Sequence, residues 1–212
     1  MMIINSITFS KRDARLDGIK FVLMVLVILG HIKQFTICDD FDFSVRLINK
    51  INHLIYLFHM PLFIMISGYL SRRKDNNEFW MSTWRLVRIY LIFHLFWILI
   101  DGINSRPLDM KRFFYPSFSL WYLHCLVIWR IILQYIPFKI LNNSLFVLTL
   151  SFLISFLGGF IPVSNFMSLQ RLFCFMPLFF LGFYIKKFGL LDRIYNLKWY
   201  FLILIIPVLF KI

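Results

Sequence analysis

Cysteine, glycine and acidic residues are scarce in this chain of 212 residues, which has three cysteines, eight glycines and ten acidic residues. Cys38, Cys125 and Cys174 show neither metal-ligand spacing nor the pairing of an extracellular disulfide framework. We expect them to be packing residues. No segment has the pattern of a phosphate-cradling glycine loop, a zinc pair, a nucleophile elbow or an internal repeat. The sequence therefore predicts no metal site, no phosphate-binding glycine loop and no nucleophile elbow, and it lacks the internal repeat that is typical of many secondary transporters.

Apolar residues, by contrast, are abundant: they make up 60% of the chain, and phenylalanine alone occurs 27 times. This content exceeds what the core of a soluble domain needs. We therefore predict an all-α, polytopic transmembrane helix bundle, formed by residues 1–212 as a single domain. Apolar length, charges and prolines predict seven spanning helices, near residues 17–37, 50–70, 84–102, 118–136, 144–161, 168–186 and 198–212.

Basic residues indicate the orientation of this bundle. No small-residue cleavage site follows the first apolar segment, so we expect a retained first helix. Placing the N-terminus in the cytoplasm puts most of the basic residues between helices on the cytoplasmic side, as the positive-inside rule requires. Cations next to anionic headgroups also account for the formal charge of +13 without nucleic acid as a partner.

Lys20 and His31 form the most informative pair. They are eleven residues apart on the first predicted helix, so both side chains project from nearly the same face, about 16 Å apart along the axis. Ionisable groups at membrane depth are costly unless they line a polar cavity. The pair therefore predicts a cavity with a cation at its mouth and an imidazole near its middle.

Five sequence blocks, in order, resemble membrane-bound acyltransferase family 3, and within it the fucose 4-O-acetylase-like sugar O-acetyltransferases. The blocks are Arg15-Leu16-Asp17-Gly18-Ile19-Lys20 with Gly30-His31, the run Phe58 to Leu70, Arg85-Leu86-Val87-Arg88, Leu120-Trp121-Tyr122-Leu123, and Arg171 with the run Pro177 to Tyr184. The family usually has arginine at the position of Lys20. Lysine keeps the positive charge but lacks the planar guanidinium that binds a phosphate through two hydrogen bonds. The resemblance also implies further spanning helices, so we expect the chain to be incomplete at its C-terminus.

The resemblance implies an O-acetyltransferase of the bacterial inner membrane. It would move an acetyl group from cytoplasmic acetyl-CoA, a co-substrate rather than a tightly bound cofactor, to a hydroxyl of a cell-surface or exported glycan. His31 is then the expected general base or, alternatively, the carrier of a covalent acetyl group. The basic residues expected to hold the phosphates of CoA at cytoplasmic helix ends are Lys20, Arg72, Arg73, Arg85, Arg88 and Arg130.

Several of these residues have a second interpretation. His59 either lines the active cavity or makes a structural hydrogen bond, and Arg130 either binds CoA or extends its side chain to the membrane interface. Arg72 and Arg73 also fit an ordinary positive-inside loop. Trp121 and His124 are candidate contacts for the acceptor sugar, against a role in interface anchoring for Trp121 and in packing for His124.

Two other classes of protein stay open at this point. A glycan flippase or channel would also need cations and aromatic residues in a polar cavity, but it would not require acyl-CoA. An inactive remnant of the acyltransferase would keep the ordered blocks without activity. A chain that lacks part of its helix bundle is expected to be catalytically weak and to gain stability by forming a homo-oligomer.

Overall fold

The computed structural model describes residues 14–32, 43–103, 115–116, 120–161 and 166–190. Within these ranges every regular element is a helix. The helices are α1 (Ala14–Ile32), α2 (Phe43–Leu70), α3 (Asn76–Ile103), α4 (Trp121–Tyr135), α5 (Phe138–Asn142), α6 (Ser144–Gly159), α7 (Leu169–Cys174) and α8 (Met176–Lys187), with a 3-10 turn at Phe166–Ser168. The predicted all-α class is confirmed for this part of the chain.

Three helical segments in the described ranges are long and apolar enough to cross a membrane: His53–Leu70, Asn76–Ile100 and Leu169–Lys187. Ser144–Gly159 is also apolar but shorter. The predicted span at 198–212 lies outside the described residues. The count of seven spans and the cytoplasmic N-terminus therefore stay predictions.

The predicted start of the third helix, near residue 84, is wrong. Helix α3 begins at Asn76, and the amide of Phe79 donates to the carbonyl of Asp75 at 2.8 Å. The first turn of α3 is polar, which is why apolar length alone does not find it. Phe79 nevertheless anchors this turn, since only 2% of its surface is exposed.

The predicted helix over 168–186 is divided in the structure. Helix α7 ends at Cys174 and α8 begins at Met176, with Pro177 in its first turn. Proline has no amide hydrogen to donate, so the regular pattern of the helix is interrupted. Two other helices provide partners near the break: the Trp129 indole of α4 donates to the Leu172 carbonyl at 3.0 Å, and the Ser155 hydroxyl of α6 donates to the Cys174 carbonyl at 2.9 Å.

The described residues belong to two compact units, one within 1–63 and the other within 64–212. In the first unit, Leu23 of α1 and Ile55 and His59 of α2 are buried. In the second unit, α4 buries Trp129 and Leu133 and packs against α3. It contacts α3 through Tyr135 and Phe79, whose rings lie edge to face 6.2 Å apart.

The last turns of α2 and the middle of α8 approach each other at two glycines. A Cβ atom at Gly182 would lie 1.9 Å from the carbonyl oxygen of Met65, and one at Gly68 would lie 1.9 Å from that of Phe179. Such distances are far below van der Waals contact, so only glycine fits either position. Small residues permit this backbone approach between helices in membranes, where association depends on close packing rather than on water exclusion.

We predict that Gly182→Ala destabilises the protein by about 1–3 kcal/mol, the usual range for overpacking a filled interface. Gly159→Ala is the matched control, because a Cβ atom there meets nothing within 4 Å. Thermal unfolding in detergent, followed by labelling of the buried Cys125 thiol, measures both. Equal transition temperatures for the two variants would show that the close approach does not hold these helices together.

Candidate functional site

A cleft of about 390 Å³ opens between the end of α2, the segment 71–75, the first half of α3 and the middle of α4. Its lining combines apolar, hydroxyl and cationic side chains: Ser67, Leu70, Ser71, Arg72, Lys74, Leu86, Leu126 and Arg130. Three cations in one cleft are unusual for a helix bundle in a membrane, where charge is tolerated chiefly along polar cavities. The lining therefore favours an anionic ligand.

Arg130 is half-buried and held from two sides. Its Nη2 donates to the hydroxyl of Ser82 at 2.9 Å, and its guanidinium carbon lies 6.0 Å from the centre of the Phe79 ring. Both partners come from the first turns of α3. Because guanidinium is a planar fork with five donors, the bond to Ser82 leaves other N–H groups able to bind a phosphate or carboxylate.

The segment 71–75 is fastened to α4 by Gln134, which is 8% exposed. The side-chain oxygen of Gln134 accepts from the amide of Lys74 at 3.2 Å, and its side-chain nitrogen donates to the carbonyl of Lys74 at 2.7 Å. The backbone carbonyl of Gln134 accepts from Nη2 of Arg73 at 2.6 Å. Gln134 thus holds both the backbone of Lys74 and the side chain of Arg73.

Glu78, in the first turn of α3, is the carboxylate nearest to these cations. It lies 2.5 Å from the ammonium nitrogen of Lys74 and 3.6 Å from Nη2 of Arg72. About half of the Glu78 side chain is exposed, so both ion pairs are accessible to water. Arg72, Lys74, Arg130 and Glu78 together carry two net positive charges.

The structure brings together two of the six cations predicted to bind CoA phosphates, Arg72 and Arg130. The side chain of Arg73 bonds to α4 instead. Arg85 and Arg88 are exposed on α3 and are not among the residues that line this cleft. Lys20, in the first unit, forms an ion pair with Asp17 at 3.3 Å. A role in binding CoA stays a prediction for all six cations.

His59 is 1% exposed, and its Nδ1 lies 2.6 Å from the carbonyl oxygen of Ile55 on the same helix. A carbonyl can only accept, so Nδ1 carries the proton and a neutral ring has its lone pair on Nε2. A general base acting through Nε2 requires this tautomer, and a structural histidine also makes this bond. Both interpretations of His59 remain predictions. His31 lies in α1, but its side chain is outside the described residues.

The two candidate contacts for the acceptor sugar lie in different surroundings. Trp121 is 8% exposed, with the Arg171 guanidinium 4.8 Å from its ring and Phe175 stacked on it at 5.7 Å. A sugar that stacks on Trp121 therefore competes with these neighbours.

His124 faces α3, where its ring lies 5.8 Å from that of Tyr90. Its Nε2 is buried and has no hydrogen-bond partner among the described residues. This nitrogen is able to bond to a polar atom of a ligand. A sugar contact at either Trp121 or His124 stays a prediction.

Sequence reasoning missed Lys74, Glu78 and Gln134 as parts of the site. Lys74 was visible in the basic run 72–74, whereas Glu78 was hidden in a polar turn interpreted as a loop. A polar side chain such as Gln134 near the end of an apolar helix was the signal available, since buried amides need partners.

The cleft belongs to a basic end of the second unit. Lys186 of α8 lies 5.5 Å from the centre of the Tyr69 ring, and Lys187 donates to the Leu141 carbonyl of α5 at 3.1 Å. Arg72 and Lys74 lie at the same end, because Tyr69 is in the last turn of α2 just before them. Within the described residues no group of three or more histidine, cysteine, aspartate or glutamate side chains has the arrangement of a metal site. The chemistry available here is the binding of an anion such as phosphate.

The chain resembles two curated bacterial proteins over part of its length. It is 30% identical to the nodulation protein NolL of Sinorhizobium fredii over 124 residues, which are 49% of this chain and 31% of that protein. It is 44% identical to the nodulation protein NolL of Mesorhizobium japonicum over 62 residues, 29% of this chain and 16% of that protein. The matches thus span less than a third of either relative. No solved structure matches the chain.

One protein family matches almost the whole chain. Residues 13–211 match the acyltransferase domain that defines family 3. This range includes all five blocks of the sequence on which the resemblance rested, as well as the cationic cleft. The chain therefore belongs to acyltransferase family 3.

Proposed function

We propose that this protein is an integral-membrane O-acetyltransferase that moves the acetyl group of cytoplasmic acetyl-CoA to a hydroxyl of a cell-surface or exported glycan. The observation that carries the proposal is the cleft of Arg72, Lys74 and Arg130 in a chain that belongs to an acyltransferase family. CoA is a polyphosphate anion, and clustered cations bind phosphate by charge-assisted hydrogen bonds.

The distribution of charge supports the orientation that this reaction needs. Arg72, Lys74, Lys186 and Lys187 lie at one end of the second unit, and the positive-inside rule assigns such an end to the cytoplasm. The bilayer is then the bacterial inner membrane, crossed by seven helices with the N-terminus inside. Acetyl-CoA would enter the cleft from the cytoplasm without crossing the bilayer.

The chemical step requires a base for the acceptor hydroxyl. In the proposed reaction a neutral imidazole, His31 or His59, takes the proton as the hydroxyl oxygen attacks the thioester carbon. The carbon–sulfur bond breaks, an ester forms, and the proton passes to the departing sulfur of CoA. In the other route a nitrogen of His31 attacks the thioester carbon, the carbon–sulfur bond breaks and CoA leaves as the thiolate. The acceptor hydroxyl then attacks the acetyl-histidine, the carbon–nitrogen bond breaks, and the hydroxyl proton passes to the CoA sulfur.

Transfer of labelled acetyl groups tests the activity itself. Membranes that contain the protein are incubated with acetyl-CoA labelled in the acetyl group, and label is measured in the glycan fraction. We expect incorporation that vanishes with His31→Ala while the amount of inserted protein is unchanged. Incorporation equal to wild type in His31→Ala would contradict the role of His31, and no incorporation by the wild type would contradict the proposed activity.

We predict that Arg130→Met raises the dissociation constant for CoA roughly ten- to hundred-fold, since hydrogen bonds to charged groups contribute about 1.5–3 kcal/mol. Lys139→Met is the matched control, because Lys139 is an exposed cation on α5. Binding of CoA to the purified protein in lipid nanodiscs measures both variants, with thermal unfolding as a check on the fold. Equal affinities would mean that the cleft does not bind CoA.

We predict that His59→Asn separates the two interpretations of His59. The asparagine amide can still donate to the Ile55 carbonyl, but it has no basic nitrogen in place of Nε2. If His59 acts as a base, acetyl transfer falls by a factor of about 100 or more while the unfolding temperature stays close to that of wild type. Retained transfer in this variant would assign His59 a structural role.

A further inference from the structure

The cations of the cleft have different partners: Arg130 bonds to Ser82 of α3, whereas Lys74, in segment 71–75, contacts both Gln134 and Glu78. The identity of the ligand rests on the proposed function, whereas the contacts described next join segment 71–75 to Gln134 of α4 and Glu78 of α3. Lys74 has its backbone fixed by Gln134 on one side and its ammonium paired with Glu78 on the other. Each of these contacts has a separate consequence for an arriving anion.

Gln134 makes the segment rigid before any ligand arrives. Its amide bonds to both the N–H and the C=O of Lys74, the reciprocal pairing that one strand of a sheet makes with another. Because Gln134 is buried on α4, these bonds form away from competing water. Arg73 adds a third bond to the same residue. The entropy of ordering the segment is therefore lost on folding rather than on binding.

Glu78 pairs with two of the cations that an anionic ligand would bind, although its own side chain is not among those that line the cleft. Its carboxylate contacts both Lys74 and Arg72, the two cations that this segment contributes to the cleft. A phosphate has the same charge sign and the same kind of acceptor oxygens as a carboxylate. The Arg72–Glu78 pair is solvent-accessible, since its side chains are 64% and 49% exposed, and exposed pairs contribute little free energy. In the Lys74–Glu78 pair the lysine side chain is 19% exposed, so this pair is open to water on the Glu78 side. A multivalent anion can displace them.

We propose that residues 71–75 form a pre-organised phosphate clamp, in which Gln134 is a positioning residue and Glu78 is an internal competitor that the ligand displaces. Gln134 raises the affinity for phosphate by holding Lys74, and Glu78 lowers it by pairing with Lys74 and Arg72. The two residues therefore have opposite effects on one equilibrium. A purely structural role for either residue does not give this pattern.

The test measures binding of pyrophosphate and of CoA to the full chain in nanodiscs. Glu78→Gln keeps the size of the side chain and removes its charge, so we expect affinity for pyrophosphate to rise about two- to five-fold, the range for exposed ion pairs. Asp101→Asn is the matched control, since it removes one negative charge from the last turn of α3, at the opposite end of that helix from Glu78. We expect it to change affinity less than two-fold.

For the positioning role, Gln134→Met keeps the length of the side chain and removes both bonds to Lys74. We expect its affinity for pyrophosphate to fall about five- to ten-fold. Gln134→Glu keeps the acceptor for the Lys74 amide but loses the donor, and it should also weaken binding. Asn142→Leu is the control, because it removes a polar contact to Lys187 at the same end without touching segment 71–75.

A double variant links the two residues to Lys74. In a Lys74→Met background Glu78 has lost its closer partner, so we expect Glu78→Gln to give less than half of its effect in wild type. In the transfer reaction, Glu78→Gln should lower the KM for acetyl-CoA and Gln134→Met should raise it, with kcat unchanged in both. A change in kcat alone would contradict the roles assigned here.

The outcomes separate this inference from the proposed function. Tighter binding of pyrophosphate by Glu78→Gln together with weaker binding by Gln134→Met supports the clamp, even if CoA does not bind and acetyl transfer fails. Unchanged or weaker binding by Glu78→Gln, an equal gain in Asp101→Asn, or no pyrophosphate binding by the wild type overturns the clamp. Acetyl transfer by the wild type could still be intact in each of these cases.

Discussion

The backbone contact between the last turns of α2 and the middle of α8 is the constraint on which the second unit depends. Gly68 and Gly182 each lie where a Cβ atom would meet a carbonyl oxygen of the opposite helix. In a bilayer the apolar side chains gain little by leaving lipid, so packing distance decides which helices associate. The end of α2 leads directly into the segment 71–75. The contact that fixes the end of α2 against α8 therefore also fixes the position of the segment that carries Arg72 and Lys74.

Helix α4 connects this constraint to the cleft. The indole of Trp129 bonds to the Leu172 carbonyl beside the break between α7 and α8. Tyr122 bonds to Ser67 on α2, and Arg130 and Gln134 lie further along α4 and bond to Ser82 and Lys74. Buried polar groups in a membrane protein need partners inside the protein. The need for such partners explains why Tyr122, Arg130 and Gln134 of α4 each bond to a polar group outside α4.

The cations of the site were partly predictable, and their geometry was not. Basic residues after an apolar helix identify Arg72 as a residue at a membrane interface, and the depth of Arg130 in its helix identifies it as exceptional. Neither pattern predicts that Arg72 and Arg130 line the same cleft. Residues so far apart in sequence come together only through the packing of α3 on α4. The same limit hid Gln134, whose contact with Lys74 exists only once α4 packs beside segment 71–75. Glu78 lies four residues after Lys74, so its ion pair is local and depends on where α3 begins.

The sequence by itself determined the helical class, the presence of helices long and apolar enough to cross a membrane, and the family, because composition, apolar length and ordered blocks are properties of the chain alone. Tertiary structure decided where α3 begins and where the helix around Phe175 breaks, since the burial of Phe79 and the partners from Trp129 and Ser155 come from other helices. It also decided which cations converge. Pairing a charge requires a partner within a few ångströms, and only the folded backbone sets such distances.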